Sequence, residues 1–308
     1  MNILVTGAWQ QASEYMDRIR KQHESVFLQN EQEALPRPPE WVEGIIGNGI
    51  FLYHPIEQFT NLRYIQLTSA GYDRVPTDYI KEHGITIRNA RGVYSIPMAE
   101  FAIAGVLHFY KDLGRFGEKQ AMKIWEKERG LLELCGKTVL IVGCGSVGTA
   151  CAKRFHAFGT KVVGLDQYPG SVEDVEPFLM VMPVSELKAV VPKADIIVLT
   201  VPLSEETRGL IGRDELALCR DGAIIVNIAR GGVVDEKELI KVLKTRPIGA
   251  VLDVFENEPL PEDSPLWKME NVIITPHNSF VGDGNGKRLS RLILHNLQEA
   301  EGKCSIRC

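Results

Sequence analysis

The chain has 308 residues, 44% hydrophobic and 24% charged, a balance that suits a globular protein of about two domains and excludes disordered or collagen-like readings. A formal net charge of −5 with no sustained Lys/Arg run leaves no electrostatic footprint for nucleic acid or anionic lipid. No window reaches the ~18 apolar residues of a membrane span, and the start, Met1-Asn2-Ile3-Leu4-Val5-Thr6, reads as a first β-strand rather than a signal peptide.

Short β-branched runs alternate with amphipathic stretches along the chain, which predicts an α/β fold with parallel sheets. In the first third, strands are predicted at 3–5, 44–46, 64–67 and 85–87, making a small doubly wound sheet. A long helix is predicted over 98–107, after Pro97, and would bridge two domains. Six further strands follow, at 138–142, 162–165, 196–199, 224–226, 250–252 and 272–274, with helical stretches between them. They predict a dinucleotide-binding Rossmann domain over 98–280. Residues 288–297 have helical period but are too few for a domain, so they should return to the first one. The expected boundaries are therefore 1–97, completed by 281–308, for a smaller flavodoxin-like domain, and 98–280 for the Rossmann domain inserted into it.

The six cysteines, at 135, 144, 151, 219, 304 and 308, are scattered, which suits reduced thiols in a cytoplasm better than a disulfide framework. Cys304 and Cys308 lack a nearby His or second Cys pair and read as part of a polar tail; no metal is expected.

Two constellations carry chemistry. The strand 139–142 runs into Gly143-Cys144-Gly145-Ser146-Val147-Gly148 and then into a helix-like stretch. In that context Gly143 allows a tight turn, Gly145 lets the backbone approach a pyrophosphate, and Gly148 lets helix and strand pack closely. The free N–H groups around Ser146 and Val147 attract the anion. Asp166, 18 residues beyond Gly148, ends a strand where an acid can accept bonds from an adenosine ribose. Its charge opposes a 2′-phosphate, and Gln167-Tyr168-Pro169-Gly170 offers no cation to hold one, so NAD(H) is expected over NADP(H).

The second constellation is Arg230, Glu258 and His277, each just after an apolar strand-like run. Taken singly they read as a solvated arginine, a turn glutamate and a structural histidine. Together, a cation, a carboxylate and an imidazole are the parts needed to bind an α-keto acid and pass a proton to its carbonyl.

These segments, with Ser69-Ala70-Gly71-Tyr72-Asp73, Asn89-Ala90-Arg91-Gly92, Glu133 to Thr138, Asn227 to Asp235, Asp253 to Leu260 and Thr275 to Ser279, resemble the D-isomer-specific 2-hydroxyacid dehydrogenase family over nearly the whole chain. The resemblance implies an NAD-dependent oxidoreductase that moves a hydride between NAD(H) and a small 2-keto or D-2-hydroxy acid. By that resemblance Arg230 holds the substrate carboxylate and carbonyl oxygen, which suits a permanently charged fork. His277 exchanges the proton, and Glu258 bonds its other ring nitrogen, fixing its orientation and favouring the charged form.

The resemblance further places Val201, Pro202, Ile228, Ala229, Arg230 and His277 against the cofactor, and Asp253 on the nicotinamide amide. It puts the backbone of Ser69, Ala70 and Gly71 on the substrate carboxylate, with domain closure expelling water. Trp125 falls where relatives build a dimer contact, so a homodimer is expected. A formate dehydrogenase is disfavoured, because it pairs its histidine with a glutamine where this chain has Glu258. Two alternatives stay open: a phosphoglycerate-dehydrogenase-type enzyme, and a nicotinamide-sensing, corepressor-like binding protein.

Overall fold

A computed structural model describes residues 1–300; Cys304 and Cys308 lie outside the described residues. The chain divides into two compact units, residues 1–94 with the segment from Gly282 onward, and Ser95–Val281.

The first unit begins with β1 (Asn2–Thr6), α1 (Ala12–Arg20), β2 (Glu24–Leu28), β3 (Gly44–Gly47), β4 (Tyr64–Leu67), α2 (Thr77–Glu82) and β5 (Thr86–Arg88). Its strands pair in parallel in the order β2-β1-β3-β4-β5, the flavodoxin-type doubly wound order. Ile3, Leu4 and Val5 are all solvent-free because β1 is covered on both faces: Ile3 and Val5 join one apolar cluster and Leu4 the other.

The second unit runs through α3 (Ser95–Tyr110), α4 (Leu113–Ala121), β6 (Thr138–Val142), α5 (Ser146–Ala157), β7 (Lys161–Asp166), β8 (Met180–Pro183), α6 (Leu187–Val190) and β9 (Ile196–Leu199). It continues with α7 (Arg213–Leu218), β10 (Ile224–Asn227), α8 (Glu236–Thr245), β11 (Gly249–Leu252) and β12 (Val272–Ile274). The parallel sheet has the order β12-β11-β10-β9-β6-β7-β8, a Rossmann arrangement extended by β12. After it the chain returns to the first unit as α9 (Asn285–Ala300), whose Leu289, Ile293 and Leu297 complete the cluster around β1.

The expected pair of doubly wound parallel sheets is therefore present, with two strands that the sequence pattern did not predict. β2 and β8 each lie at a sheet edge and are only partly buried, so neither needs a continuous apolar run. α3 starts at Ser95, earlier than predicted, with Pro97 in its first turn, where a missing N–H breaks no helical bond. A Cβ at Gly105 would stand 2.7 Å from Val251 Cγ1, so α3 lies directly on β11. Among the described residues no helix is long and apolar enough to cross a membrane.

Register decides where chemistry can occur. Val142 pairs with Leu165 and Leu199, Asn227 with Leu199 and Leu252, and Leu252 with Ile274. Because every strand runs the same way, the segments after them, at Gly143, Thr200, Ile228, Asp253 and Thr275, leave one edge of the sheet. That carboxyl edge is where open α/β sheets take ligands.

Candidate active site

The fingerprint sits between β6 and α5, at the point where strand order reverses. Gly143 has φ +96° and donates its N–H to Leu165 O at 2.7 Å, a left-handed turn suited to glycine. A Cβ at Gly148 would lie 1.9 Å from Gly143 O, so helix and turn touch there. Gly145 differs: no protein atom lies within 4 Å of the Cβ position, and no side chain caps the first turn of α5. The fold itself therefore gives no reason for a bare residue there, and the open space borders uncapped helix amides. Asp166 Oδ2 accepts from Cys144 N at 2.8 Å and Oδ1 from Tyr168 N at 2.9 Å, which holds the carboxylate beside the turn. Burial, with Asp166 adding to it, pushes the Cys144 thiol up to about 12, so this cysteine stays protonated near neutrality.

Arg230, Glu258 and His277 line a single cavity of about 580 Å³ in the second unit. Glu258 Oε2 lies 2.7 Å from His277 Nδ1, and its other oxygen accepts from Phe255 N at 3.1 Å. The carboxylate is acceptor-only, so Nδ1 carries the hydrogen and Nε2 is left for another partner. His277 is 40% exposed along its side chain, open enough to meet a ligand.

Its backbone is held firmly. His277 has φ +51° and donates to Asp253 O at 2.8 Å. The fully buried Asp253 carboxylate accepts from Thr275 Oγ1 at 2.6 Å, Asn278 N at 2.7 Å and Ser279 N at 2.9 Å. Asp253 is thus bonded first to the loop that carries His277.

The Arg230 loop is braced from below. Buried Asn227 accepts from Ala229 N at 3.1 Å and donates to Arg230 O at 3.0 Å, while Arg230 Nη1 donates to Ala229 O at 2.8 Å. A Cβ at Gly231 would lie 1.9 Å from Phe255 C, so this loop seats directly on the segment leading to Glu258. Ile228 and Ala229 are buried under it, as is Val201, whereas Pro202 is exposed and its carbonyl accepts from Thr207 Oγ1 at 2.6 Å.

In the first unit, the carbonyls of the Ser69–Gly71 region are engaged: Tyr94 OH donates to Thr68 O, Ala90 N to Ser69 O, Asn89 Nδ2 to Ala70 O and Ser69 Oγ to Gly71 O. Among the described residues no acceptor is seated on the amides of Ser69, Ala70 and Gly71. The neighbouring amides of Asn48 and Gly49 are taken by the Glu31 carboxylate, both at 2.7 Å.

The sequence pattern did not single out Asn227, Thr275 or Asn89 as supports. An amide side chain ending a buried strand directly before an arginine loop was the available signal for Asn227. Among the described residues no group of His, Cys, Asp and Glu is arranged to hold a metal ion.

Residues 103–279 match the family described as D-isomer specific 2-hydroxyacid dehydrogenase, NAD binding domain. The chain is 38% identical over 246 residues to a D-3-phosphoglycerate dehydrogenase of Methanocaldococcus jannaschii, a match covering 79% of this chain and 46% of that protein, so it spans less than half of that relative. It is 32% identical over 251 residues to a hydroxypyruvate reductase of Blautia hydrogenotrophica, covering 79% of this chain and 77% of the other. A crystal structure of a D-isomer specific 2-hydroxyacid dehydrogenase family protein from Aeromonas salmonicida is similar at a TM-score of 0.81 and 27% identity, over 98% of this chain and 96% of that one. The chain belongs to the D-isomer specific 2-hydroxyacid dehydrogenase family.

Proposed function

We propose that this chain interconverts a small 2-keto acid and its D-2-hydroxy acid, with NAD(H) as the redox partner. The 2.7 Å contact between Glu258 and His277 in the cavity that Arg230 also lines carries the reading. The residues present fit a dinucleotide: the bare space at Gly145 and the uncapped start of α5 suit a pyrophosphate, which Ser146, Val147 and Gly148 would hold with Gly143 shaping the turn. Asp166 would accept from the ribose, and Val201, Pro202, Ile228, Ala229 and Asp253 would line the remainder. When bound, NADH supplies the hydride that reduces the carbonyl carbon, and NAD takes it back in reverse.

Arg230 binds the substrate carboxylate and polarises its carbonyl, a task for a charged fork. His277 donates from Nε2 to the carbonyl oxygen as it gains negative charge, and accepts the same proton in the oxidative direction. Glu258 keeps Nδ1–H engaged, so the ring presents Nε2 to the substrate. The amides of Ser69, Ala70 and Gly71, on which no acceptor is seated among the described residues, suit a substrate carboxylate.

A homodimer is part of the proposal, supported by the complete exposure of Trp125 beside exposed Met122 and Ile124. A cytoplasmic setting is supported by the free, buried thiols of Cys144, Cys151 and Cys219.

Purified protein with NADH should oxidise it in the presence of at least one of glyoxylate, hydroxypyruvate, pyruvate, longer 2-keto acids and phosphohydroxypyruvate, and should use NADPH less well. His277→Ala should keep NADH binding while turnover falls by roughly 10²-fold or more. Silence across the panel with NADH bound would favour a nicotinamide-sensing binding protein instead.

A further inference from the structure

The cavity that holds Arg230 and His277 carries a second guanidinium, that of Arg208. Its place is fixed by the backbone. Gly209 N donates to Gly232 O at 2.8 Å and Ile211 N to Val233 O at 3.1 Å, tying the segment after β9 to the segment after Arg230. Inside that segment Ser204 N donates to Thr207 Oγ1 at 2.7 Å and Arg208 N to Ser204 O at 2.9 Å, closing a compact turn. The missing side chain of Gly232 leaves Arg208 Nη1 only 3.5 Å from that residue's Cβ position. Arg208 is thus laid against the loop that presents Arg230.

The acids around the same cavity are committed elsewhere. Glu258 serves Phe255 N and His277, Asp235 accepts from Glu238 N at 3.0 Å at the start of α8, and Glu256 accepts from Glu236 N at 3.2 Å. Among the described residues no carboxylate lies within ion-pair distance of Arg208, and its side chain makes no hydrogen bond. Arg208 is exposed at the rim of this cavity, its backbone held and its guanidinium without an internal anion, so the fork is open to an external one.

We propose that Arg208 forms a distal anion subsite, so that the favoured substrate is a 2-keto acid bearing a second negatively charged group at its far end. This rests on the dehydrogenase reading above, with Arg230 taking the near carboxylate. The distal group is a carboxylate, sulfonate or phosphate, all of which accept from a guanidinium fork.

The test compares kcat/KM for glyoxylate and pyruvate with that for oxaloacetate, 2-oxoglutarate, sulfopyruvate and phosphohydroxypyruvate, in the full chain and in Arg208→Gln and Arg208→Lys. In the unmodified chain at least one doubly charged substrate should outrank the singly charged ones, and the one that does identifies the distal group. Arg208→Gln should cost that substrate about tenfold to a hundredfold, mainly through KM. Glyoxylate and pyruvate should change less than about threefold, and Arg208→Lys should fall between. Activity on the favoured substrate should drop more steeply with salt than on pyruvate, and the difference should vanish in Arg208→Gln. If singly charged acids are preferred, or Arg208→Gln affects both groups alike, the subsite is wrong while the dehydrogenase reading stands. If no 2-keto acid is turned over, the dehydrogenase reading itself fails. Loss of self-association in Arg208→Gln, in place of the kinetic split, would put Arg208 in a subunit contact and overturn the subsite.

Discussion

Asp253 is removed from solvent, yet it is surrounded by enough donors that burial leaves neither oxygen unbonded. Those bonds hold His277 in a left-handed backbone conformation that costs a non-glycine residue about 1–2 kcal/mol. A carboxylate one strand earlier in the sequence thus holds the backbone that carries the imidazole. Glu236 presents the opposite balance. Burial raises its carboxyl above the ordinary range, the bond from Glu256 N opposes this, and the Glu256 charge adds to the rise. An acid raised in the folded state favours folding below its unfolded value, and that contribution is lost as pH rises through the folded value. Glu236→Gln keeps an acceptor for Glu256 N but removes the charge. It should therefore raise the melting temperature at about pH 7, with the gain shrinking toward about pH 4; an unchanged melting temperature at neutral pH would contradict the assignment.

At the level of elements, the turn between β6 and α5 separates what the fold requires from what a ligand requires. Gly148→Ala forces a clash with Gly143 O and should destabilise the protein outright. Gly145→Ala meets no protein atom within 4 Å, so its unfolding midpoint in urea should match the parent while NADH affinity weakens about tenfold or more. Equal NADH affinity would detach Gly145 from cofactor binding. The same level explains what could be read from residues alone. Central strands such as Ile196–Leu199, fully buried on both faces, announce themselves as unbroken apolar runs. The edge strands β2 and β8 do not, since Glu24 is exposed and Pro183 closes the other strand without a donor. Arg230, Glu258 and His277 were legible because each follows such a run. The supports Asn227 and Thr275 were not, because their partners, the Arg230 carbonyl and the Asp253 carboxylate, come within reach only when the loops fold.

For the molecule as a whole, the two units differ in how much chain they need. Ser95–Val281 is continuous and carries apolar clusters on both faces of its sheet. The other unit lacks a face until α9 arrives, with Leu289, Ile293 and Leu297 packed under β1 and polar ties from Ser290 to Trp9 at 3.0 Å and from Asn296 to Gln66 at 2.8 Å. Burying these three side chains contributes roughly 5–9 kcal/mol at about 1.5–3 kcal/mol each, comparable to the whole stability of a small domain. A fragment of residues 95–281 should accordingly fold alone and show a cooperative thermal transition, whereas residues 1–94 should not. A cooperative transition in the shorter fragment would show that α9 is dispensable.

That dependence reverses the usual order of maturation at the ribosome, where the leading part of a chain generally becomes native first. Here Ile3, Val5 and Trp9 stay uncovered until α9 has been translated, while the portion made in between can already collapse into its final form. β1 is consequently open to aggregation during that interval, and slow elongation between β1 and α9 would lengthen it.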